Sequence, residues 1–295
     1  MAEISGDQVR KFFQTIIPER LRGGGTVVPV VRLTGVIGFS TPLRPGITIS
    51  SVARLLERAF SYKRAKAVAL IVNSPGGSPV QSHLVYRRIR QLADEKKLPV
   101  IVFVEDVGAS GGYMIACAGD EIICDVSSIV GSIGVVGATF GFDKAIAKFG
   151  IERRVYTAGD RKVMLDPFLP ENPDDVARLK AIQNDIHDAF IALVKSRRAA
   201  KLKGPESALF SGEYWAGEEA LRLGLVDGFG EIRSFLRERF GEKVQTPVIG
   251  DRGWFGRRFL GSRVPSLGEG LSGKGLAEEL LSAAETRAIW ARYGL

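Results

Sequence analysis

The sequence predicts an α/β domain built on a largely parallel sheet, and three observations predict it. Short β-branched runs alternate with stretches of helical periodicity, and the connections between them are short and rich in glycine. The chain has 295 residues, 45% of them apolar and 25% charged, which is enough to bury a large core. That composition excludes a disordered chain, a collagen-like repeat and a disulfide-stapled miniprotein.

Taken in order, residues 1–25 read as a peripheral helix that ends in the glycines at 23–25. Residues 27–33 form a continuous β-branched run and predict a buried strand, and residues 50–60 show helical spacing. The alternation then becomes regular: a strand over 67–72, a turn over 73–78, a helix over 80–95 and a strand over 100–104. A glycine-rich turn at 108–112 leads into a short helix at 113–118, and a strand follows at 121–126. Beyond a second glycine-rich segment that begins at Gly131, the pattern predicts a helix over 142–149 and a strand over 153–157. A long helix over 172–200 carries Leu179, Ile182, Ile186 and Leu193 at helical intervals. Smaller helices are expected at 217–223 and 231–240, and one more helical stretch at 276–293. No internal repeat is visible. The expected organisation is a peripheral segment at 1–25, one domain over 26–245 and a tail over 246–295.

Composition also narrows the chemistry. The two cysteines, Cys117 and Cys124, make no CxxC pair and have no histidine near them, so neither a zinc site nor an oxidised framework is expected. There are only two histidines, His83 and His187, and most hydrolytic and metal chemistry leans on that side chain. The net charge is +8, but the basic residues are dispersed, which describes a solvated surface and gives no nucleic-acid partner. No stretch has the roughly 18–20 apolar residues needed to span a bilayer. The first 25 residues lack the apolar core of a secretory signal, so the expectation is a soluble chain.

Gly108, Ala109, Ser110, Gly111 and Gly112 follow a predicted strand and open a helix. A serine between glycines on such a turn exposes its hydroxyl, and the next backbone N–H points at the same place. The helix N-terminus adds partial positive charge, which favours a developing oxyanion. The plain alternative is a serine that only caps the helix. Asn73, Ser74, Pro75, Gly76 and Gly77 also lie between a strand and a helix, and two such turns at the ends of consecutive strands can converge on one crevice. A serine nucleophile needs a base. His187 falls inside the long helix and His83 reads as structural, so a lysine becomes the candidate. Lys162 sits in a loop before the apolar residues Val163, Met164 and Leu165, though most lysines are simply solvated. It would have to be desolvated, because an ordinary lysine has a pKa of about 10.4.

Four stretches, at 72–77 (Val-Asn-Ser-Pro-Gly-Gly), 109–113 (Ala-Ser-Gly-Gly-Tyr), 131–135 (Gly-Ser-Ile-Gly-Val) and 158–164 (Ala-Gly-Asp-Arg-Lys-Val-Met), together resemble the signal peptide peptidase A family. The likeness covers roughly residues 27–240 and includes closing segments at 210–220 and 224–228. It implies that Ser110 is the acylated nucleophile, Lys162 the general base and Ser132 the serine that orients the lysine. It further implies that Gly77 and Gly111 donate the oxyanion-hole N–H groups. The implied fold is of the ClpP/crotonase type, with stacked ββα units, a spiral sheet and a long oligomerisation helix. An extended peptide substrate would pair along Gly76, Gly131 and Gly134. No cofactor or metal is implied, and the implied assembly is a homo-oligomer, with an octamer as the candidate.

Two departures stand out. A ClpP-type triad would need a histidine after the serine, and residues 134–138 offer none, which favours a Ser–Lys dyad. Family members carry an N-terminal membrane anchor that is not found here. Residues 9–18 and 254–260 could supply peripheral membrane contact instead, and turnover of peptides in the cytoplasm is equally open. The leading expectation is a serine endopeptidase acting on extended peptides, signal-peptide remnants among them. The competing readings are a crotonase-like acyl-CoA enzyme that would use carboxylates, and a catalytically silent membrane-associated scaffold.

Overall fold

The structure, a computed structural model, describes residues 25–38, 46–159 and 161–250, together with Arg287, Trp290, Ala291 and Tyr293. The expected helix at 1–25, the 254–260 stretch and most of the 276–293 helix lie outside the described residues.

Strands β1 (Val30–Thr34), β2 (Val68–Ser74), β3 (Val100–Ala109), β4 (Glu121–Cys124) and β7 (Gly228–Phe229) lie side by side in that order, each pair parallel. Parallel pairing requires crossovers, and α1 (Ile49–Phe60), α2 (Pro79–Lys96) and α3 (Gly111–Ala116) provide them. The expected strand–helix alternation is therefore present from β1 to β4.

Period-two alternation assigns the strand residues to two cores. Val68, Leu70 and Val72 of β2 join Leu56 and Phe60 of α1 and Val85 and Ile89 of α2 on one face. Ala69 and Ile71 point to the other face, where Ile101, Phe103 and Ile123 meet Leu236 of α8 (Ile232–Phe240). Burial on both faces explains why β2 reads as a continuous apolar run. Residues 245–249 run beside β1, where Val28 N–H donates to Gln245 O at 2.8 Å and Ile249 N–H to Val30 O at 2.8 Å.

β3 positions the site, and it is twice as long as its sequence pattern predicts. Its first half pairs with β4, from Ile101↔Glu121 to Val104↔Cys124. Its last three residues pair instead with β5 (Ile129–Gly131), which pairs antiparallel with β6 (Tyr214–Ala216). The sheet thus changes neighbour partway along one strand, and the crevice opens at that point. The extra residues are accommodated by a register shift against β2 between Val72 and Ser74. There the Asn73 side chain replaces ladder bonds: its Nδ2 donates to Asp106 at 2.6 Å, and its Oδ1 accepts from Val107 N–H at 3.3 Å.

The long helix α5 (Pro173–Arg198) is capped by the Asn172 side chain, which accepts from Asp174 N–H at 2.9 Å. Its C-terminal half buries Phe190, Leu193, Val194 and Arg198 in the main core, and its N-terminal half is largely exposed. The remaining helices are α4 (Asp143–Lys148), α6 (Glu206–Leu209) and α7 (Gly217–Arg222).

One predicted element is absent. Residues 153–157 form no strand: they are almost entirely exposed and have no pairing partner among the described residues. The β-branched and aromatic residues Val155, Tyr156 and Thr157 suit a strand, but no sheet edge lies beside them.

Candidate active site

Ser110 occupies the turn between β3 and α3 with φ +53° and ψ −122°, a left-handed backbone that a non-glycine residue rarely adopts. Its N–H donates to Gly131 O at 2.8 Å, and its carbonyl accepts from Met114 N–H at 3.0 Å. Its side chain makes no helix-capping bond, which removes the capping explanation for a serine at this position. The backbone geometry therefore holds a free hydroxyl at the N-terminus of α3. Strain of this kind persists only where surrounding structure imposes it.

The 73–78 turn supplies the opposite wall. A β-carbon placed on Gly76 would lie 2.7 Å from Ser110 Cβ, 3.0 Å from its Oγ and 2.9 Å from Gly111 N, so the turns are in contact and position 76 has room for glycine alone. Gly76 and Gly77 both have positive φ, +105° and +139°. The turn is clamped from outside by Ile37, whose N–H donates to Gly76 O at 2.8 Å and whose carbonyl accepts from Ser78 N–H at 2.9 Å. Among the described residues the N–H groups of Gly77 and Gly111 donate to no acceptor. Two free donors beside one exposed hydroxyl are the components of an oxyanion hole.

Ser132 immediately follows the residue that holds Ser110 N–H. It too has φ +53°, and it is 7% exposed. Its N–H donates to Glu213 O at 2.6 Å, which ties the β5–β6 pair beneath the site. Gly131 packs against the Trp215 ring and Gly134 against Gly212. His187 reaches from α5 to the same segment, where its Nε2 lies 3.0 Å from Ile133 O. It anchors backbone there and has no contact with Ser110. His83 is exposed on α2 and stacks with Tyr86.

The structure therefore brings together Ser110, Ser132, Gly76, Gly77, Gly111 and Gly131, with Gly134 at the margin. Lys162 stands apart. It is exposed, and among the described residues its side chain makes no hydrogen bond or ion pair, neither with Ser110 nor with Ser132. It belongs to a segment that projects from the sheet and carries the exposed side chains of Phe140, Phe149 and Tyr156.

Sequence reading missed several contributors: the Ile37 clamp, the Asn73–Asp106 pair, the Glu213 carbonyl and the His187 anchor. Ile37 acts through its backbone, so its side chain gave no cue. Asn73 was quoted as part of a turn motif, and its role depends on an irregularity in β3 that residue patterns do not reveal. The cysteines are both buried, and burial pushes each thiol up to about 12, so neither is a nucleophile. Among the described residues no helix is long and apolar enough to cross a membrane.

Known proteins share this arrangement. A protein of Brucella abortus named as the Na(+)/H(+) antiporter NhaA is 56% identical over 284 residues, covering 95% of this chain and 38% of its own length. The chain thus spans well under half of that relative. A protein of Methanocaldococcus jannaschii named as a protease is 34% identical over 228 residues, covering 77% of this chain and 72% of its own. The chloroplastic serine protease SPPA of Arabidopsis thaliana is 32% identical over 221 residues, covering 72% of this chain and 32% of its own. The resemblance to signal peptide peptidase A proteins read from the four motifs is borne out. With the family model of peptidase family S49 matching residues 92–242, a stretch that contains Ser110, Ser132 and Lys162, the chain belongs to peptidase family S49.

Proposed function

We propose that the chain is a serine endopeptidase in which Ser110 is acylated and Lys162 acts as general base. The observation that carries this reading is Ser110 itself, an uncapped hydroxyl on a strained turn facing two unengaged N–H groups. An extended peptide pairs along the strand edges near Gly76, Gly131 and Gly134. Neutral Lys162 takes the Ser110 proton, and the oxygen attacks the scissile carbonyl. The resulting oxyanion accepts hydrogen bonds from Gly77 and Gly111. Lys162 passes its proton to the leaving amine, and water then hydrolyses the acyl-enzyme. Ser132 orients the lysine amine. Residues 26–245 form the catalytic unit, the segments at 1–25 and 246–295 are accessory to it, and the site of action is the cytoplasm or the membrane periphery.

An exposed lysine is protonated at neutral pH, so this chemistry requires Lys162 to be covered and brought to Ser110. The apolar side chains beside it favour a second copy of the chain as the cover: Phe140 is 78% exposed, Phe149 80% and Tyr156 90%. The proposed active form is therefore a homo-oligomer, with an octamer as the candidate.

The test is hydrolysis of an unstructured fluorogenic peptide containing leucine and alanine, together with labelling by a fluorophosphonate. The wild type is expected to do both, with activity rising as pH rises toward deprotonation of the lysine. Ser110→Ala should abolish labelling, and Lys162→Ala should reduce turnover by at least about 10³-fold. Undiminished activity in Lys162→Ala would eliminate the dyad, and undiminished labelling in Ser110→Ala would eliminate the nucleophile.

A further inference from the structure

Tyr293, more than 180 residues away in sequence from the nucleophile, is buried beside it. Its ring packs on Val107 and Ala109, the strand residues that lead into Ser110, with Ile129 of β5 and Trp290 completing the cluster. Tyr214 of β6 meets the ring edge-on, with centroids 5.0 Å apart. The hydroxyl lies 3.3 Å from Ser132 Oγ and 3.4 Å from Pro75 O. The surroundings thus form an apolar slot with a polar end, and the polar end belongs to the two turns that frame Ser110. Such a slot matches the ring and the hydroxyl of a tyrosine.

We propose that this slot is a side-chain subsite for a tyrosine of the peptide substrate, and that the chain's own Tyr293 fills it at rest. The proposal rests on the peptidase reading and adds a substrate preference and a built-in competitor. Two features make Tyr293 a plug rather than a substrate. Its N–H donates to Trp290 O at 2.9 Å, a turn bond, whereas a cleavable peptide lies extended along the strand edges. Its hydroxyl also stands against the Ser132 hydroxyl, the group assigned to orient Lys162. A substrate tyrosine must displace Tyr293 to enter, and its backbone then continues along the Gly131 edge.

The test is direct binding, so that it does not depend on turnover. Fluorescein-labelled peptides of alanine with one central tyrosine, or with alanine in its place, are titrated by anisotropy onto the Ser110→Ala protein. The same titration is repeated with Tyr293→Ala and with Tyr293→Phe added to Ser110→Ala. A tethered competitor has an effective concentration of order millimolar, so removing it should tighten binding of the tyrosine peptide by about tenfold or more. The alanine peptide should gain less than about threefold, because it does not use the slot. Tyr293→Phe retains the ring and should give a smaller gain for the tyrosine peptide. No gain in either variant, or equal gains for both peptides, overturns the proposal. Circular dichroism checks that each variant is folded, and if Tyr293→Ala is not, the Tyr293→Phe comparison decides alone. Failure of wild-type protein to label with fluorophosphonate would instead overturn the peptidase reading, with the binding result standing independently.

Discussion

Two serines, Ser110 and Ser132, have φ +53°, and each such conformation costs on the order of 1–3 kcal/mol. Neighbouring backbone holds both: Gly131 O fixes Ser110 N–H, and Glu213 O fixes Ser132 N–H. The site depends on its glycines for the same reason, because they let a turn approach within contact distance of the strained serine. Gly76→Ala should therefore disable the site more than it disables the fold. Its β-carbon would meet Ser110 and Gly111, and relief requires moving either the nucleophile or an oxyanion donor. Turnover is expected to fall by at least about 10²-fold, the scale set by loss of one such donor. Gly250→Ala is the control, since a β-carbon there meets nothing and the backbone is not strained. The kinetic constants and melting temperatures of both variants, measured side by side, check this; equal turnover would show that the turns are not mutually constrained. These motifs were legible in the sequence because strained backbone imposes a residue type, and glycine clusters record it directly. Lys162 was legible only through the resemblance, since an isolated loop lysine carries no local mark of its role.

At the scale of elements, α5 is held to the sheet through its last turn. Arg198, 1% exposed, donates to Asp227 Oδ2 at 2.7 Å and to Gly224 O at 2.7 Å. Asp227 also pairs with Lys201 at 2.7 Å and accepts from Ile122 N–H at 2.8 Å, so one carboxylate joins α5, the start of β4 and the approach to β7. Burial alone would raise the Asp227 pKa, but the hydrogen bonds from Arg198, Lys201 and Ile122 outweigh it and hold the group below its ordinary value. A carboxylate depressed in the folded state adds stability in full above the unfolded value of about 3.9, and that stability fades as pH falls below it. Asp227→Asn should cost roughly 3–5 kcal/mol at neutral pH, because it leaves the Arg198 charge buried without its counter-ion. Urea melts should also show a flatter decline of stability for the variant than for wild type below about pH 4. Parallel curves displaced by a constant would contradict the electrostatic account. α5 and the strands from β1 to β4 were readable because their periodicity is local and long enough to detect. β5, β6 and β7 have three residues or fewer, and their existence is decided by partners up to 105 positions away, such as Ile123↔Gly228. Residues 153–157 fail in the opposite sense, with strand-forming composition but no adjacent edge.

For the whole molecule, the open question is how Lys162 meets Ser110. The core ends where β5 and β6 close over the sheet. Beyond Gly134, the chain is mostly exposed until α5 returns to the core. A segment that carries a required base together with Phe140, Phe149 and Tyr156 on its surface is poorly suited to solvent on its own. Folding it back onto its own Ser110 would leave the exposed N-terminal half of α5 without cover. Docking it on a neighbouring copy covers those aromatics and desolvates the lysine in one step, and a cyclic assembly repeats the arrangement at every interface. This predicts complementation. Ser110→Ala and Lys162→Ala should each be inactive alone, yet unfolding and refolding them together at equal amounts should restore activity. If each site takes its serine from one copy and its lysine from the next, about a quarter of the sites in a randomly mixed assembly receive both. Activity near that fraction of wild type, appearing only in the co-refolded mixture and in the assembled fraction from size exclusion, is the expected result. Mixtures that remain inactive despite co-assembly would show that each chain supplies its own lysine, and the 136–170 segment would then have to hinge onto its own nucleophile.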